Sequence, residues 1–221
     1  MHNGLARRLR DATWGLHAQA ERAGVMPALL RGSLPAPQFH RLQRNLLALY
    51  AAMEPALDAA VASQPVVAAL WGELTLREAL RRSQALADDL RALAGPGWPA
   101  LPLVPSTLVY AQRLTTLGRE RPFLLAAHAY VRYLGDLSGG QALGRLARQS
   151  YGLSGPDGSR FFDFGAPAVV AAISAQLRQA LDSLPVDETQ AQALTDEARW
   201  AFEQHVQLFD ELAAAPPALS A

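Results

Sequence analysis

A histidine and a glutamate near the N-terminus have a spacing that could serve metal binding. The stretch LHAQAE places His17 and Glu21 four residues apart, so on a helix both side chains lie on one face, one turn apart. A carboxylate there can accept one imidazole N–H and leave the other ring nitrogen free for a metal. Arg10 shares this face about 10 Å away along the axis, which suits a large ligand with an acidic rim. Alone, such a pair is more often an ordinary helix-surface pair.

A second unusual stretch is YLGDLSGGQ, which places three glycines inside a predicted helix from Arg121 to Tyr151. Each interior glycine costs about 1 kcal/mol relative to alanine, so Gly135, Gly139 and Gly140 weaken this helix unless another interaction offsets the loss. One interpretation is that Gly135 and Gly139 allow a second helix to approach closely. The other is that they kink the helix and present bare backbone to a flat ligand.

Asp136 lies between these glycines and has two interpretations as well. If the glycines face a ligand, the Asp136 carboxylate is close to that ligand. If they serve helix packing, Asp136 forms an i to i+4 ion pair with Arg132 on a solvated surface. The spacing alone favours helix packing.

The composition excludes several classes of chemistry. All 20 basic residues are arginine, so no lysine can form a Schiff base, and any anion site must use Arg. Cysteine is absent, which excludes disulfides, thiolate ligands and cysteine nucleophiles, and fits a reducing compartment such as the cytoplasm. The formal net charge is zero, so nothing in the overall charge favours binding to nucleic acid.

Helical periodicity dominates the chain and predicts an all-α fold in a single domain over residues 1–214, followed by a frayed tail at 215–221. Loops are predicted at Arg31–Pro37 and Ser154–Pro167. No leader peptide precedes the first helix, and the best apolar run is interrupted by Glu54 and Pro55, so we expect a soluble protein without a membrane span. The predicted helices include about Leu5–Ala20, Gln38–Ala62, Ala168–Ser183 and Glu188–Ala214.

Two stretches, LRDATWGLHAQAE and AHAYVRYLGDLSGGQALGRLA, closely resemble the two signature helices of the haem oxygenase family. The similarity runs from about Leu5 to Leu212 and includes FFDF and AFEQHVQLFDEL. The resemblance implies a multi-helix bundle with a kinked distal helix.

The resemblance also implies roles for individual residues. His17 matches the proximal ligand of the haem iron, and Glu21 matches the acid associated with that histidine. Asp136 matches the distal aspartate that holds an ordered water network. The remaining matches are Tyr50, Arg132 and Tyr133 as supports of that network, Gly135, Ser138, Gly139 and Gly140 on the distal helix, and Arg10, Tyr130 and Arg178 at the haem propionates.

One position departs from the family pattern. Four residues before Arg178, where animal members carry a second basic residue, this chain has Ser174. The departure predicts a looser hold on the propionates and leaves the orientation of the haem open.

The activity implied by the resemblance is oxidative cleavage of haem to biliverdin, carbon monoxide and ferrous iron. Haem b is then both cofactor and substrate. No GxGxxG or other cofactor-binding motif is present, so the chain has no evident electron source of its own. The resemblance implies that a separate ferredoxin, flavodoxin or reductase supplies the electrons. It also implies a monomeric enzyme.

Two alternatives stay open. The same fold could carry haem or sense a gas without turnover, although Asp136 argues for the oxygenase. A haem-free helical interaction module would instead use His17, Glu21 and the glycines only for packing. His2, His40, His128 and His205 are interpreted as structural.

Overall fold

The computed structural model describes residues 4–214, which are helical and contain no β-strand. The first half comprises α1 (Leu5–Ala20), α2 (Met26–Leu30), α3 (Ala36–Ala60), α4 (Pro65–Trp71), α5 (Leu74–Leu80), α6 (Ser83–Ala94) and a 3₁₀ segment (Gly95–Ala100). The second half comprises α7 (Pro105–Glu120), a 3₁₀ turn (Pro122–Leu124), α8 (Leu125–Ala129), a π-helical segment (Tyr130–Leu134), α9 (Gly135–Tyr151), a 3₁₀ turn (Arg160–Phe162), α10 (Pro167–Asp182) and α11 (Glu188–Ala214).

Local sequence signals explain most of these boundaries. Pro65, Pro105 and Pro167 each occupy the first turn of a helix, where a missing N–H costs nothing and the fixed φ is already helical. Gly152 ends α9 in the left-handed conformation, with φ of 64°, which a residue without a side chain adopts at little cost. The predicted helices at Leu5–Ala20 and Glu188–Ala214 are present with those bounds.

The predicted long helix from Arg121 to Tyr151 is not regular. A 3₁₀ turn and α8 precede a π-helical segment at Tyr130–Leu134, and a regular α-helix then begins at Gly135. The irregularity therefore lies directly before Gly135, while Gly139 and Gly140 lie in a regular α-helix. A π segment adds a residue to the turn and rotates every following side chain about the helix axis.

The predicted loop at Ser154–Pro167 contains an ordered turn. Both carboxylate oxygens of Asp89 accept backbone N–H groups, one from Arg160 and one from Phe161, each at 2.8 Å. Burial raises the pKa of Asp89 to about 6. These bonds fix the 3₁₀ turn that presents Phe161 and Phe162 to the interior.

The core is organised around α3, which packs against α7, α6 and α11, while α1 packs against α11. Buried apolar side chains from Leu5 to Leu212 form one hydrophobic cluster. The predicted tail at 215–221 lies outside the described residues, so the predicted division at residue 214 remains a prediction.

Within residues 4–214, no single helix has the length and apolar character needed to cross a bilayer. Only α3 and α4 taken together pass by length and composition, and a bend of 116° separates them.

Gly144 allows α9 to pack closely on the 160–162 turn. A Cβ atom at this position would lie 2.9 Å from the Cβ of Phe162, closer than real side chains approach. Gly140 faces the same turn, where an added Cβ would lie 3.2 Å from the Phe162 carbonyl oxygen. These two glycines serve the packing of α9.

We predict that Gly144→Ala lowers the free energy of unfolding by about 1–2 kcal/mol, because the overpacking cost exceeds the gain in helix propensity. Gly15→Ala in α1 is the matched control, since a Cβ there meets no atom within 4 Å. It should raise the free energy of unfolding by about 0.5–1 kcal/mol. Urea unfolding measures both, and a stabilising Gly144→Ala would contradict this packing.

Candidate functional site

A cleft of about 640 Å³ opens between α1 and α9. This volume falls within the roughly 300–1,000 Å³ of sites that hold small molecules and cofactors. Side chains from α1, α2, α3, the π segment, α9, the 160–162 turn, α10 and α11 line it, and most of them are apolar. All parts of the bundle that carry a predicted site residue therefore meet at one cleft.

His17 lines the cleft from α1, and 49% of its side chain is exposed. Its Nδ1 lies 3.8 Å from a carboxylate oxygen of Glu21, so the two residues are neighbours without a hydrogen bond. The hydrogen bond that the spacing allows between them is not formed, and both side chains line the cleft. The ring of Phe202 lies 6.0 Å from the His17 ring, edge to face.

Among the described residues, no group of three or more His, Cys, Asp or Glu side chains could hold a metal ion. His17 lines the cleft with only Glu21 beside it. A metal held by His17 would therefore need most of its ligands from the bound molecule itself.

The glycine wall, defined here as Gly135, Ser138 and Gly139 of α9, lines the cleft. A Cβ at Gly135 would meet no atom within 4 Å, and one at Gly139 would only touch a Leu143 methyl group at 3.7 Å. The missing side chains thus face the cleft and no neighbouring helix. The Ser138 hydroxyl donates to the Leu134 carbonyl at 2.7 Å, so it is held along the helix.

Gly140 does not belong to this wall. It is buried, faces the 160–162 turn and is not part of the cleft lining. Its predicted contact with a ligand is therefore corrected to a packing role, because one residue of helix rotation turns it about 100° from Gly139.

A polar network of four side chains borders the cleft: Arg132, Asp136 and His205 line it, whereas Tyr50 is fully buried and does not line it. The guanidinium of Arg132 donates from Nη2 to Asp136 at 2.7 Å, from Nε to the Tyr50 hydroxyl at 3.0 Å and from Nη1 to His205 at 3.1 Å. The Tyr50 hydroxyl in turn donates to the other carboxylate oxygen of Asp136. The predicted ion pair of Arg132 and Asp136 exists, and only 12% and 9% of these side chains are exposed, so it is not a solvated surface pair.

Burial dominates the acid–base properties of this network. It raises the pKa of Asp136, and the adjacent Arg132 charge limits the rise. Burial likewise raises the pKa of the Tyr50 hydroxyl well above its ordinary value. Burial opposes the charge on Arg132, but Asp136 and Tyr50 more than offset that effect, so the pKa of Arg132 is raised.

His205 is the member that the sequence did not indicate. Its Nδ1 lies 2.7 Å from the Ala201 carbonyl oxygen, which can only accept, so Nδ1 carries the proton and Nε2 accepts from Arg132. Burial and the Arg132 charge lower the pKa of His205 to about 3. The residue is therefore a neutral acceptor that orients Arg132.

Tyr133 supports the network from outside the cleft. Its ring stacks on Trp71 at 5.5 Å and contacts the Tyr50 ring at 5.8 Å, while its hydroxyl donates to Glu54 at 3.4 Å. Tyr133 is fully buried and makes no hydrogen bond to Asp136 or Arg132 within the described residues. Its contribution is to hold the Tyr50 ring in place.

The arginine rim, defined here as Arg7, Arg10 and Arg178, lies at the mouth of the cleft. Arg10 donates to the neighbouring Asp11 at 2.8 and 3.1 Å, and Arg7 lies 3.6 Å from the same carboxylate. The rim therefore brings cations from α1 and α10 to one edge of a cleft that is lined mostly by apolar side chains.

The predictions for Tyr130 and Ser174, both placed at the propionate edge, have different outcomes. Tyr130 lines the cleft, and its hydroxyl lies 3.2 Å from the Thr13 hydroxyl. Ser174 is buried within α10 and does not line the cleft. Arg7 supplies a further cation where Ser174 offers none. The spacing of three residues between Arg7 and Arg10 could have indicated that both lie on the same face of α1.

Comparisons with known proteins agree on one family. A family model described as "Heme oxygenase" matches residues 3–211. A protein of Pyropia yezoensis named "Heme oxygenase" is 34% identical over 213 residues, covering 96% of this chain and 87% of its own length.

Solved structures give the same result. Heme oxygenase-1 of the cyanobacterium Synechocystis sp., solved in complex with heme, is 32% identical with a TM-score of 0.85, over 96% of this chain and 93% of its own. Heme oxygenase-2 of Synechocystis sp., solved with heme and NO, is 33% identical with a TM-score of 0.88, over 95% and 85%.

We predict that His205→Asn flattens the pH dependence of stability. The pKa of His205 is depressed in the folded protein, so its contribution is complete above pH 6.5 and is lost as the pH falls towards 3. Asparagine can still accept from Arg132 but does not titrate. Between pH 6 and 4, the wild type should lose up to about 1.4 kcal/mol more per pH unit than the variant.

His205→Phe is the comparison that removes the acceptor as well. It should show the same flattened profile with a lower free energy of unfolding at pH 7, by about 1–3 kcal/mol, because Arg132 loses a partner. Urea unfolding at several pH values measures both effects. Parallel profiles for the wild type and His205→Asn would contradict the assigned state of His205.

Proposed function

The chain belongs to the haem oxygenase family, and we propose that it binds haem in the cleft and cleaves it to biliverdin, carbon monoxide and ferrous iron. One observation carries the proposal. His17 lines a largely apolar cleft from α1, and α9 lines it too, without side chains at Gly135 and Gly139 and with the buried carboxyl of Asp136 next to them. When bound, haem supplies both the redox-active iron and the ring that is oxidised.

His17 fits the axial ligand of such a molecule. The porphyrin provides four ligands, so the protein needs only one imidazole, and the cleft offers His17. Glu21 lies close enough to accept an N–H from His17 once the ring is held, which would raise the basicity of the ligating nitrogen.

The glycine wall allows a flat ring to approach the backbone of α9. Each missing Cβ at Gly135 and Gly139 faces open space in the cleft, so the loss of helix propensity is offset only when a ligand occupies that space. The wall also restricts how a bulky ring can slide, which limits the edges that react.

Asp136 is suited to hold water and to pass protons to the reaction. Its carboxyl is buried with a raised pKa, and Arg132 and Tyr50 fix both of its oxygens. A carboxyl that is held rigidly beside a cleft and titrates above its usual range is a good candidate for proton transfer.

The arginine rim fits the haem propionates, since an arginine can make paired N–H bonds to a carboxylate. Arg10 and Arg178 match the family pattern, and Arg7 adds a cation that offsets the absence of one at Ser174. Asp11 now holds Arg10 and would compete with a propionate for it.

The proposal includes an external electron donor, which we assign to a ferredoxin, flavodoxin or reductase. We place the monomeric enzyme in the cytoplasm, supported by a cysteine-free sequence that needs no oxidising compartment.

Turnover of one equivalent of haem tests the function. Purified protein is loaded with haemin and given ascorbate or a ferredoxin system in air, while the visible spectrum and released gas are followed. Loss of the Soret band with one equivalent of carbon monoxide supports the oxygenase. A stable Soret band would favour a haem carrier or sensor, and absence of haem binding would favour the haem-free module.

We predict that Asp136→Asn keeps haem affinity within about twofold and lowers turnover about 100-fold, because the amide cannot exchange the proton. Glu203→Gln, at an exposed carboxylate of α11, is the matched control and should leave turnover unchanged. Single-turnover carbon monoxide release measures both. Equal rates for Asp136→Asn and the wild type would show that Asp136 has no part in the reaction.

Gly135→Ala tests whether Gly135 faces the ligand or serves the packing of α9. The added methyl meets nothing in the unliganded protein, so the free energy of unfolding should rise by about 0.5–1 kcal/mol. Haem affinity should fall about tenfold, because the methyl group occupies the space of the ring. Thermal unfolding and haem titration measure the two effects, and unchanged haem affinity would exclude the glycine wall as the haem contact.

A further inference from the structure

Trp14 is an exposed aromatic side chain on the wall of the cleft. It is 71% exposed, the largest fraction among the exposed large apolar side chains of residues 4–214, and it lines the cleft from α1. Burying a large aromatic side chain removes about 150–250 Å² from water. Most of that gain is not realised at Trp14 in the unliganded protein, so its indole offers apolar surface that a molecule in the cleft can cover.

The other three tryptophans each have a partner for their ring. Trp71 and Trp200 contact aromatic rings at 5.5 and 5.3 Å between centroids, and Trp98 lies 5.7 Å from a guanidinium. Trp71 is also fully buried, while Trp98 and Trp200 pack against the core. Within the described part of the chain, Trp14 has no such ring or cation contact. Trp14 is therefore the tryptophan whose ring surface is available to a ligand.

Exposure alone would not single out Trp14, since scattered apolar side chains are common on protein surfaces. Other exposed apolar side chains of the described residues do not line the cleft; these are Leu74, Leu108, Val109 and Val169. Trp14 differs from them because it is both highly exposed and part of the cleft lining.

The position of Trp14 on α1 relates it to two groups proposed to hold haem. Arg10 precedes it by four residues and His17 follows it by three, so the three side chains lie on one face of the helix. Along the axis, Trp14 lies about 6 Å from Arg10 and about 4.5 Å from His17. A flat molecule bound at His17, with its acidic groups at Arg10, therefore passes over Trp14.

The neighbouring arginines do not occupy the indole. Arg10 donates to Asp11 at 2.8 and 3.1 Å, and Arg7 lies 3.6 Å from the same carboxylate. Asp11 thus holds both guanidinium groups, and neither forms a cation–π contact with Trp14. The indole remains open between the rim and His17.

We propose that Trp14 is a haem-positioning residue whose indole packs against the face of the ring that carries His17. An indole presents a broad apolar surface, which suits a flat aromatic ring. The inference rests on the proposed function and deepens it, because it names a residue of this chain that holds the substrate between its iron and its propionates.

The contact bears on the looser hold that Ser174 predicts. Ser174 is buried in α10 and does not line the cleft, so it gives the propionates no partner. Trp14 supplies apolar contact area instead, and such a contact does not depend on charge. Its contribution to haem binding is therefore insensitive to salt, whereas that of the arginine rim is screened.

The test uses gallium(III) protoporphyrin, a diamagnetic probe with the same ring, and follows the indole N–H signals of the four tryptophans in protein labelled with ¹⁵N. The signal lost in Trp14→Phe identifies Trp14. The Kd for haemin is measured at low and high salt for the wild type, Trp14→Ala and Trp14→Phe. Val109→Ala is the control, since Val109 is exposed and apolar but outside the cleft lining. Thermal unfolding is measured without ligand.

Gallium protoporphyrin should move the Trp14 signal further upfield than the other three, because the ring current acts on groups above the ring. Trp14→Ala should raise the Kd for haemin about tenfold at both salt concentrations, and Trp14→Phe, which keeps an aromatic ring, less than about threefold. Val109→Ala should leave the Kd unchanged. All three variants should keep the Tm within about 2 °C of the wild type, since these side chains are mostly in water.

An unshifted Trp14 signal in a wild type that binds the probe would overturn the assignment. A loss of haemin affinity that disappears at high salt would also overturn it, because the effect would then belong to the arginine rim. Unchanged haemin affinity in Trp14→Ala, with slower reduction by a ferredoxin, would overturn it in favour of a protein partner on Trp14. Failure of the proposed function is distinct, since the wild type would then bind neither haemin nor the probe.

Discussion

The site depends on one buried cation. The Arg132 guanidinium contacts Asp136 on α9, Tyr50 on α3 and His205 on α11, so a single side chain joins three helices. Burying a charge is costly unless it is paired and its N–H groups are used. Here the Nε, Nη1 and Nη2 atoms of Arg132 each donate to an acceptor, and the Asp136 carboxylate supplies the opposite charge. Because the fork is planar and rigid, it also fixes the positions of its three partners relative to the cleft.

The π-helical segment explains how Arg132 reaches these partners. Arg132 lies within Tyr130–Leu134, where the wider turn rotates the side chains relative to a regular helix. Directly after it, α9 presents Gly135 and Gly139 to the cleft and Gly140 and Gly144 to the 160–162 turn. One sequence motif thus contains two sets of glycines with opposite tasks, one that leaves room for a ligand and one that brings helix and turn together.

Periodicity and motifs in the sequence predicted where the helices lie, but they did not predict which side chains of those helices face the cleft. Helix positions and the pairing of Arg132 with Asp136 follow from local spacing, which a sequence displays directly, whereas the place of His17 in the site came from the resemblance to the family. Spacing cannot show which helix face turns inward, so the role of Gly140 was predicted incorrectly, and spacing gave no sign of the π-helical segment that precedes Gly135. The sequence gave no signal that His205 belongs to the network, because that role comes from a contact between helices far apart in sequence: 73 residues separate His205 from Arg132. Arg7 had the spacing signal, but only the folded structure shows that the cleft opens at that turn of α1.

A crystal structure of the protein with bound haem tests the central claim most directly. The account predicts a haem with its iron bonded to a ring nitrogen of His17, its other face against the backbone of Gly135 and Gly139, and its propionates at the arginine rim. Arg132 should keep its bonds to Asp136, Tyr50 and His205. A haem bound outside the cleft, or an iron without His17 as ligand, would contradict the account.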